Sequence, residues 1–334
     1  MRADAADARR RRLLAALAVL AFAAPRIARG QEASRKYRIG YLHPTSASDL
    51  GPAEMRNALA ALGYVVGRNV EFLERYAQGK QDRLPGLAAD LVEAKVDVIV
   101  AVAPPAIRAA LGATKTIPIV MAFSGDDPVA SGFAKSLSRP GGNVTGVTTV
   151  AHDFAPKWIE LLREAVPAAK RIAALRIPGA YAHDDQIDAM RRMAQSRGMQ
   201  LVVVDVRNPG EYEGAFAAMA KDRVDAVVLM SSPEFTQQRE RLAALALAHR
   251  LPSIFQYREY VVAGGLMSYG PDIGDLTARA AAYVDRILKG ANPAEMPIQQ
   301  PTKFLLAVNQ RTAAALGFAF PMSLILRVDE RIGP

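Results

Sequence analysis

The chain has 334 residues, 51% of them hydrophobic and 22% charged, with a formal net charge of +9 and no cysteine. That length buries ample core for two domains of ordinary size, and the lack of cysteine excludes disulfides, thiolate metal sites, cysteine nucleophiles and a lipid-modified N-terminal cysteine. Residues 1–30 hold seven arginines and two aspartates, so the remainder carries only +4, with no Lys/Arg cluster after Lys36 of the kind a nucleic-acid surface needs.

The first element in chain order is a targeting segment. Arg9 to Arg12 precede an apolar stretch from Leu13 to Ala24, and Ala28-Arg29-Gly30 then offers small residues for cleavage, the layout of a secretory signal with a mature start near Gln31. The stretch has about a dozen residues, short of the roughly 20 that span a hydrocarbon core. It is apolar on all sides, unlike a surface-lying amphipathic tail. Arg9-Arg10 leaves a twin-arginine route open. Export without disulfides fits a bacterial periplasm, where the Asn143-Val144-Thr145 sequon carries no sugar.

Short β-branched runs then alternate with helical patterns, which reads as parallel α/β sheets. Strands are expected at 37–42, 70–73, 96–101 and 117–121. Between them, Met55, Leu59 and Leu62 form a helical stripe stopped by Gly63; Leu84, Leu87, Ala88 and Leu91 form another, and Pro104 and Pro105 open a third helix where a missing N–H costs nothing. After the turn at 139–143, strands are expected at 171–175, 201–204, 226–230 and 253–255, with amphipathic spacers such as Phe154, Trp158, Leu161 and Ala165, or Leu242, Leu245 and His249. Two similar lobes follow, and export with two lobes is the form of a cleft-closing receptor.

In open parallel sheets ligands sit beyond the carboxyl ends of strands, near helix N-termini. The candidate loops are His43 to Ser48, Ala103 to Pro105 and Ser124 to Pro128 in the first lobe, and Ile177 to Tyr181, Ser231 to Phe235 and Tyr257 to Tyr260 in the second. Their hydroxyls, carboxylates and rings suit a small zwitterion with an apolar group. Ser46, Ser48, Ser124 and Ser232 equally fit helix caps, one of Asp126 and Asp127 before Pro128 fits a helix start, and Tyr257 and Tyr260 fit half-buried core.

Several ordered motifs resemble the exported substrate-binding proteins of ABC transporters grouped with tryptophan/tyrosine binders. They are residues 61–70 (ALGYVVGRNV) with Arg83-Leu84-Pro85, residues 138–146 (SRPGGNVTG), residues 257–261 (YREYV) with 264–270 (GGLMSYG), and residues 300–304 (QPTKF) leading to Asn309. The resemblance spans about 37 to 330. It implies an α/β, two-lobed type I periplasmic-binding-protein fold, parallel sheets flanked by helices, and three interlobe crossings near Val147 to Val150, Gly265 to Tyr269 and Phe304 to Asn309. The implied lobes are 37–148 plus 267–303 and 149–266 plus 304–330, with the helix of Ile273, Leu276, Ala280, Tyr283 and Ile287 returning to the first. Two loops depart from the family pattern: Ala103-Pro104-Pro105 stands for Gly-Thr-Pro, and Arg176-Ile177-Pro178 for Trp-Asn-Pro, so Arg176 is a candidate for a more anionic ligand.

The implied function is periplasmic capture of a small solute, an aromatic amino acid or related small acid, in an interlobe cleft for a membrane permease. An exported sensor for a membrane kinase is the alternative, and a periplasmic enzyme a weaker one. His43, His152, His183 and His249 are scattered without zinc-protease spacing, and nucleophile elbow and phosphate loop are both missing. His249 reads as a core or helix-end residue and His183 as a helix start. A transcription regulator would need a helix-turn-helix where the signal lies. The expected ligand-binding residues are Ser46, Ser124, Asp126 and Thr148 from the first lobe, and Tyr181, Ser232, Glu234 and Tyr257 from the second. Ser46 and Ser124 take a carboxylate, Asp126 an ammonium, and Tyr181 and Tyr257 stack on the apolar group. No catalytic residue, cofactor, metal or nucleic-acid partner is expected, and the monomer is the default state.

Overall fold

The computed structural model describes residues 36–47, 51–149, 154–179 and 183–333. The expected signal segment and Tyr181 lie outside the described residues. Among those described, the strands form two sheets. The first has the order β2-β1-β3-β4-β5, built from β1 (Tyr37–His43), β2 (Val70–Tyr76), β3 (Val98–Val102), β4 (Ile119–Ser124) and β5 (Val144–Thr148), all parallel. The second has the order β12-β11-β10-β9-β8-β6-β7, from β6 (Arg171–Arg176), β7 (Gln200–Asp205), β8 (Ala226–Leu229), β9 (Ser253–Phe255), β10 (Met267–Pro271), β11 (Phe304–Asn309) and β12 (Glu330–Ile332).

The second sheet is not wholly parallel, because β10 and β11 pair antiparallel, Met267 opposite Val308. One of these strands leaves the second lobe and the other re-enters it, so their directions must oppose. Residues 267–271, expected in the first lobe, therefore belong to the second sheet, and the chain passes into the first lobe at Asp272. Residues 304–309, expected as a crossing, are likewise a strand of the second sheet, and the crossing is the segment just before them.

The helix Ile273–Leu288 then packs Leu276, Ala280, Ala281, Val284 and Ile287 against the first sheet, beside Val98, Val100, Val120 and Val147. Full burial of side chains the size of Leu276, Val284 and Ile287 contributes about 1.5–3 kcal/mol each, which holds this helix to the first lobe although the strand before it belongs to the second. Asp272 caps it, accepting from Gly274 N at 2.9 Å and Asp275 N at 3.3 Å, and pairs with Lys303 Nζ at 2.7 Å.

The segments that lead into the other two crossings run side by side. Val147 bridges Gln299 in parallel, with Gln299 N donating to Gly146 O at 3.0 Å and Thr148 N to Gln299 O at 2.9 Å. Gly146 has φ +125°, and a Cβ there would lie 2.5 Å from Met121 O, so the approach of β5 to β4 requires glycine.

In the second lobe, Trp158 fills one face of the sheet with Phe154 and Met190 and donates its indole N–H to Tyr269 O at 2.7 Å. Phe216, Phe235, Tyr212 and Phe255 fill the other face.

Candidate ligand-binding site

A cavity, part of it open to solvent, lies between the two lobes. Its first-lobe wall is His43 at the end of β1, Val102, Ala103 and Pro104 at the end of β3, Phe123 and Gly125 at the end of β4, and Thr149 after β5. The second-lobe wall is His183 and Gln186 at the start of the helix Asp184–Ser196, Ser231, Ser232, Pro233 and Thr236 after β8, and Gln256 and Tyr257 after β9. Every one of these strands meets the cavity at its carboxyl end, where parallel sheets put ligands.

Two wall residues hold the left-handed conformation that non-glycine residues avoid: Ala103 at φ 62° and Phe123 at φ 56°. Each such residue costs on the order of 1–3 kcal/mol. At Phe123 this coincides with a register shift between Met121 and Ser124, and its ring contacts hydrophobic clusters of both lobes. Ala103 stands where the family pattern has glycine, and its backbone adopts the glycine-like φ.

The polar groups are fixed by local bonds. His43 Nδ1 accepts from Thr45 N at 3.2 Å, which puts the ring proton on Nε2. His183 donates from Nε2 to Ser231 O at 3.0 Å. Burial pushes its pKa below the usual histidine value, against the opposing influence of the Ser231 carbonyl and the Asp126 charge, so the ring is neutral near pH 7. Ser232 caps the helix Pro233–Gln237 by accepting from Phe235 N at 3.1 Å, and Thr236 Oγ1 donates back to Ser232 O at 2.9 Å.

Of the residues expected from sequence, Ser232 and Tyr257 line the cavity. Ser46 is half-buried beside Thr45 and is not a wall residue. Ser124, Asp126, Thr148 and Glu234 are also off the wall. Ser124 and Thr148 tie β4 to β5: Thr148 Oγ1 and Thr149 Oγ1 both donate to Ser124 O at 2.9 Å, and Ser124 Oγ donates to Asp126 O at 3.4 Å. Asp126 is buried and pairs with Arg108 at 3.1 Å. Glu234 accepts from Gln81 Nε2 of the first lobe at 2.7 Å. Arg176 pairs with Asp205 at 2.9 Å and with Asp184, so its charge is already balanced by two carboxylates. The wall residues His43, Phe123, Thr149, His183, Gln186, Thr236 and Gln256 went unassigned as ligand contacts; of these only His43 falls in a loop that sequence singled out, while Phe123, Thr236 and Gln256 each stand one residue outside such a loop.

Among the described residues no group of three His, Asp or Glu side chains could hold a metal ion, and no helix is long and apolar enough to cross a membrane. A family model described as ABC transporter substrate binding protein matches residues 47–332. The chain belongs to that family. Among other substrate-binding proteins it is similar to a tyrosine-binding protein of Clostridioides difficile, 27% identical over 259 residues that cover 78% of this chain and 74% of that one. Its fold is similar to that of a conserved domain protein from Vibrio cholerae (26% identical, TM-score 0.82) and of an ABC domain from Streptococcus pneumonia in complex with L-Trp (25% identical, TM-score 0.81). Both matches cover 89% of this chain and 100% of the other. The two-lobed arrangement is thus that of type I periplasmic binding proteins.

Proposed function

We propose that this substrate-binding protein is the exported receptor of an ABC importer, and that it captures an aromatic amino acid or a related small acid in the interlobe cavity and presents its closed form to a membrane permease. The observation that carries this reading is a cavity at the strand ends of both lobes, with Phe123 and Tyr257 offering ring faces and Thr149, Ser232, Thr236, His43 and His183 offering hydrogen bonds. Such a wall takes a planar apolar group at one end and a polar group at the other. Relatives with tyrosine and L-Trp in their descriptions support the ligand class. In this reading Ser232 and Tyr257 touch ligand. Asp126 acts through its field, Ser124 and Thr148 hold the loop, and the protein is a receptor rather than an enzyme. The signal-like N-terminal segment supports a periplasmic location.

Closure follows the ligand's differential affinity for the closed form, with the three crossings as the hinge. A thermal-shift screen against amino acids, aromatic acids, small peptides and nucleosides tests the ligand class. Binding to the folded state alone adds RT ln(1 + [L]/Kd), about 4 kcal/mol at 1,000 Kd. A clear shift with L-tryptophan or L-tyrosine is expected, and a response confined to peptides or nucleosides would overturn the assignment.

A further inference from the structure

Gln81 and Glu234 stand on opposite lobes, and their side chains meet at 2.7 Å outside the cavity wall. Both are half-buried. We infer that this pair is a closure latch: it sets the balance between open and closed lobes, and so the affinity for ligand, without touching ligand.

The loop that carries Gln81 is pinned to the cavity edge. Ala77 N donates to His43 O at 3.0 Å, Gln78 N to Thr45 O at 2.9 Å and Gly79 N to Pro44 O at 2.9 Å. His43 is itself a wall residue, so Gln81 keeps a fixed relation to the first-lobe wall. On the other side Glu234 sits in the capped turn whose neighbours Ser232, Pro233 and Thr236 all line the cavity. The turn is anchored by Phe235, fully buried against Tyr212 with ring centroids 5.6 Å apart. The two lobes approach again beside the latch, where a Cβ on Gly79 would lie 3.8 Å from Gln237 Oε1. A hydrogen bond to a carboxylate is among the stronger kinds. It forms only when the lobes are together, so it raises the closed population before any ligand arrives. When only the closed form binds tightly, apparent affinity scales with that population, and the latch changes affinity by one factor for every ligand.

The latch builds on the cleft-closing reading, but its test does not depend on the ligand assignment. The chain has no native cysteine, so a V66C/M322C pair, placed at exposed positions of the first and second lobes, accepts a donor and an acceptor dye. Gln81→Glu sets two carboxylates against each other, whereas Gln81→Glu with Glu234→Gln restores a donor–acceptor pair in reverse. The expected result is lower energy transfer in ligand-free Gln81→Glu and recovery in the swapped double variant. Calorimetry is expected to give an affinity about tenfold weaker for L-tryptophan and L-tyrosine alike in Gln81→Glu, again recovered by the swap. Unchanged energy transfer in Gln81→Glu, or a swap that fails to recover it, would overturn the latch. A loss for one ligand alone would make Glu234 a contact residue and overturn it as well. If neither amino acid binds the parent protein, the ligand assignment fails while ligand-free energy transfer still decides the latch.

Discussion

Asp126 and Arg108 form an ion pair of 3.1 Å in which the carboxylate side chain is 4% exposed and the guanidinium side chain 47% exposed. The acid is therefore held from the solvent side by a hydrated cation, and the cavity wall is formed by its neighbour Gly125 rather than by Asp126 itself. A carboxylate already paired in this way has little attraction left for a ligand ammonium. Asp126→Asn is expected to weaken binding of an aromatic amino acid by about fivefold or less, read by calorimetry, since a charge already paired with a half-exposed guanidinium contributes on the order of 1 kcal/mol. A loss of a hundredfold would place the ammonium directly on Asp126.

Tyr257 is a different case, because its ring is on the wall, at the N-terminal end of the helix Arg258–Val262. Tyr257→Ala removes a large ring face and is expected to weaken aromatic ligands by tenfold or more, while Tyr257→Phe stays within about threefold. Titration of both variants with the same ligand separates ring packing from the hydroxyl.

Strain in the wall gives a stability test. Ala103 at φ 62° stands where glycine meets no steric cost. Ala103→Gly is expected to raise unfolding stability by about 0.5–1 kcal/mol in urea denaturation, the gain from relieved strain exceeding the added freedom of the unfolded chain. The opposite change at Gly270 is not tolerated, because a Cβ there would lie 2.0 Å from Gln256 O, just beyond the end of β9. Gly270→Ala is expected to cost several kcal/mol or to prevent folding, seen as loss of the cooperative thermal transition.

His183 sets a pH dependence. Burial lowers its folded pKa below the ordinary 6.5, so below that pH the unfolded chain takes up a proton that the folded chain refuses. Stability is therefore full above about pH 6.5 and falls as pH drops toward the folded pKa. Glu164, Asp272 and Glu330, whose carboxyls are held below their usual values, lose their contributions only at more acid pH. Thermal melts between pH 7.5 and 5.5 are expected to show the loss in the parent protein and a flatter profile in His183→Gln.

The fold was largely legible because parallel strands buried on both faces read as β-branched runs. The run at 253–255 coincides with β9, and the run at 171–175 falls one residue short of β6. The run at 96–101 starts two residues early, since the Asp97 carboxylate accepts from Arg38 N at 2.8 Å and the ladder begins only after that bond. The place of β10 was not legible: Met267–Pro271 looks like any link into the following helix, and only its pairing with Phe304–Asn309 assigns it to the second sheet. The cavity's position followed from the strand-end rule, but its wall did not follow from residue type. Ser124 and Ser232 are equally hydroxylic, yet Ser124 turns inward to its own loop and Ser232 both caps a helix and faces the cavity. Glu234 looked like a ligand carboxylate because its partner, Gln81, is more than 150 residues away in the chain.

The most direct measurement is a crystal structure of the protein grown with L-tryptophan or L-tyrosine. The account predicts the aromatic ring against Tyr257 and Phe123, with the polar end among Thr149, Ser232 and Thr236 and the lobes closed upon it. An amino acid bound outside this cavity, or an empty cavity at millimolar ligand, would contradict it.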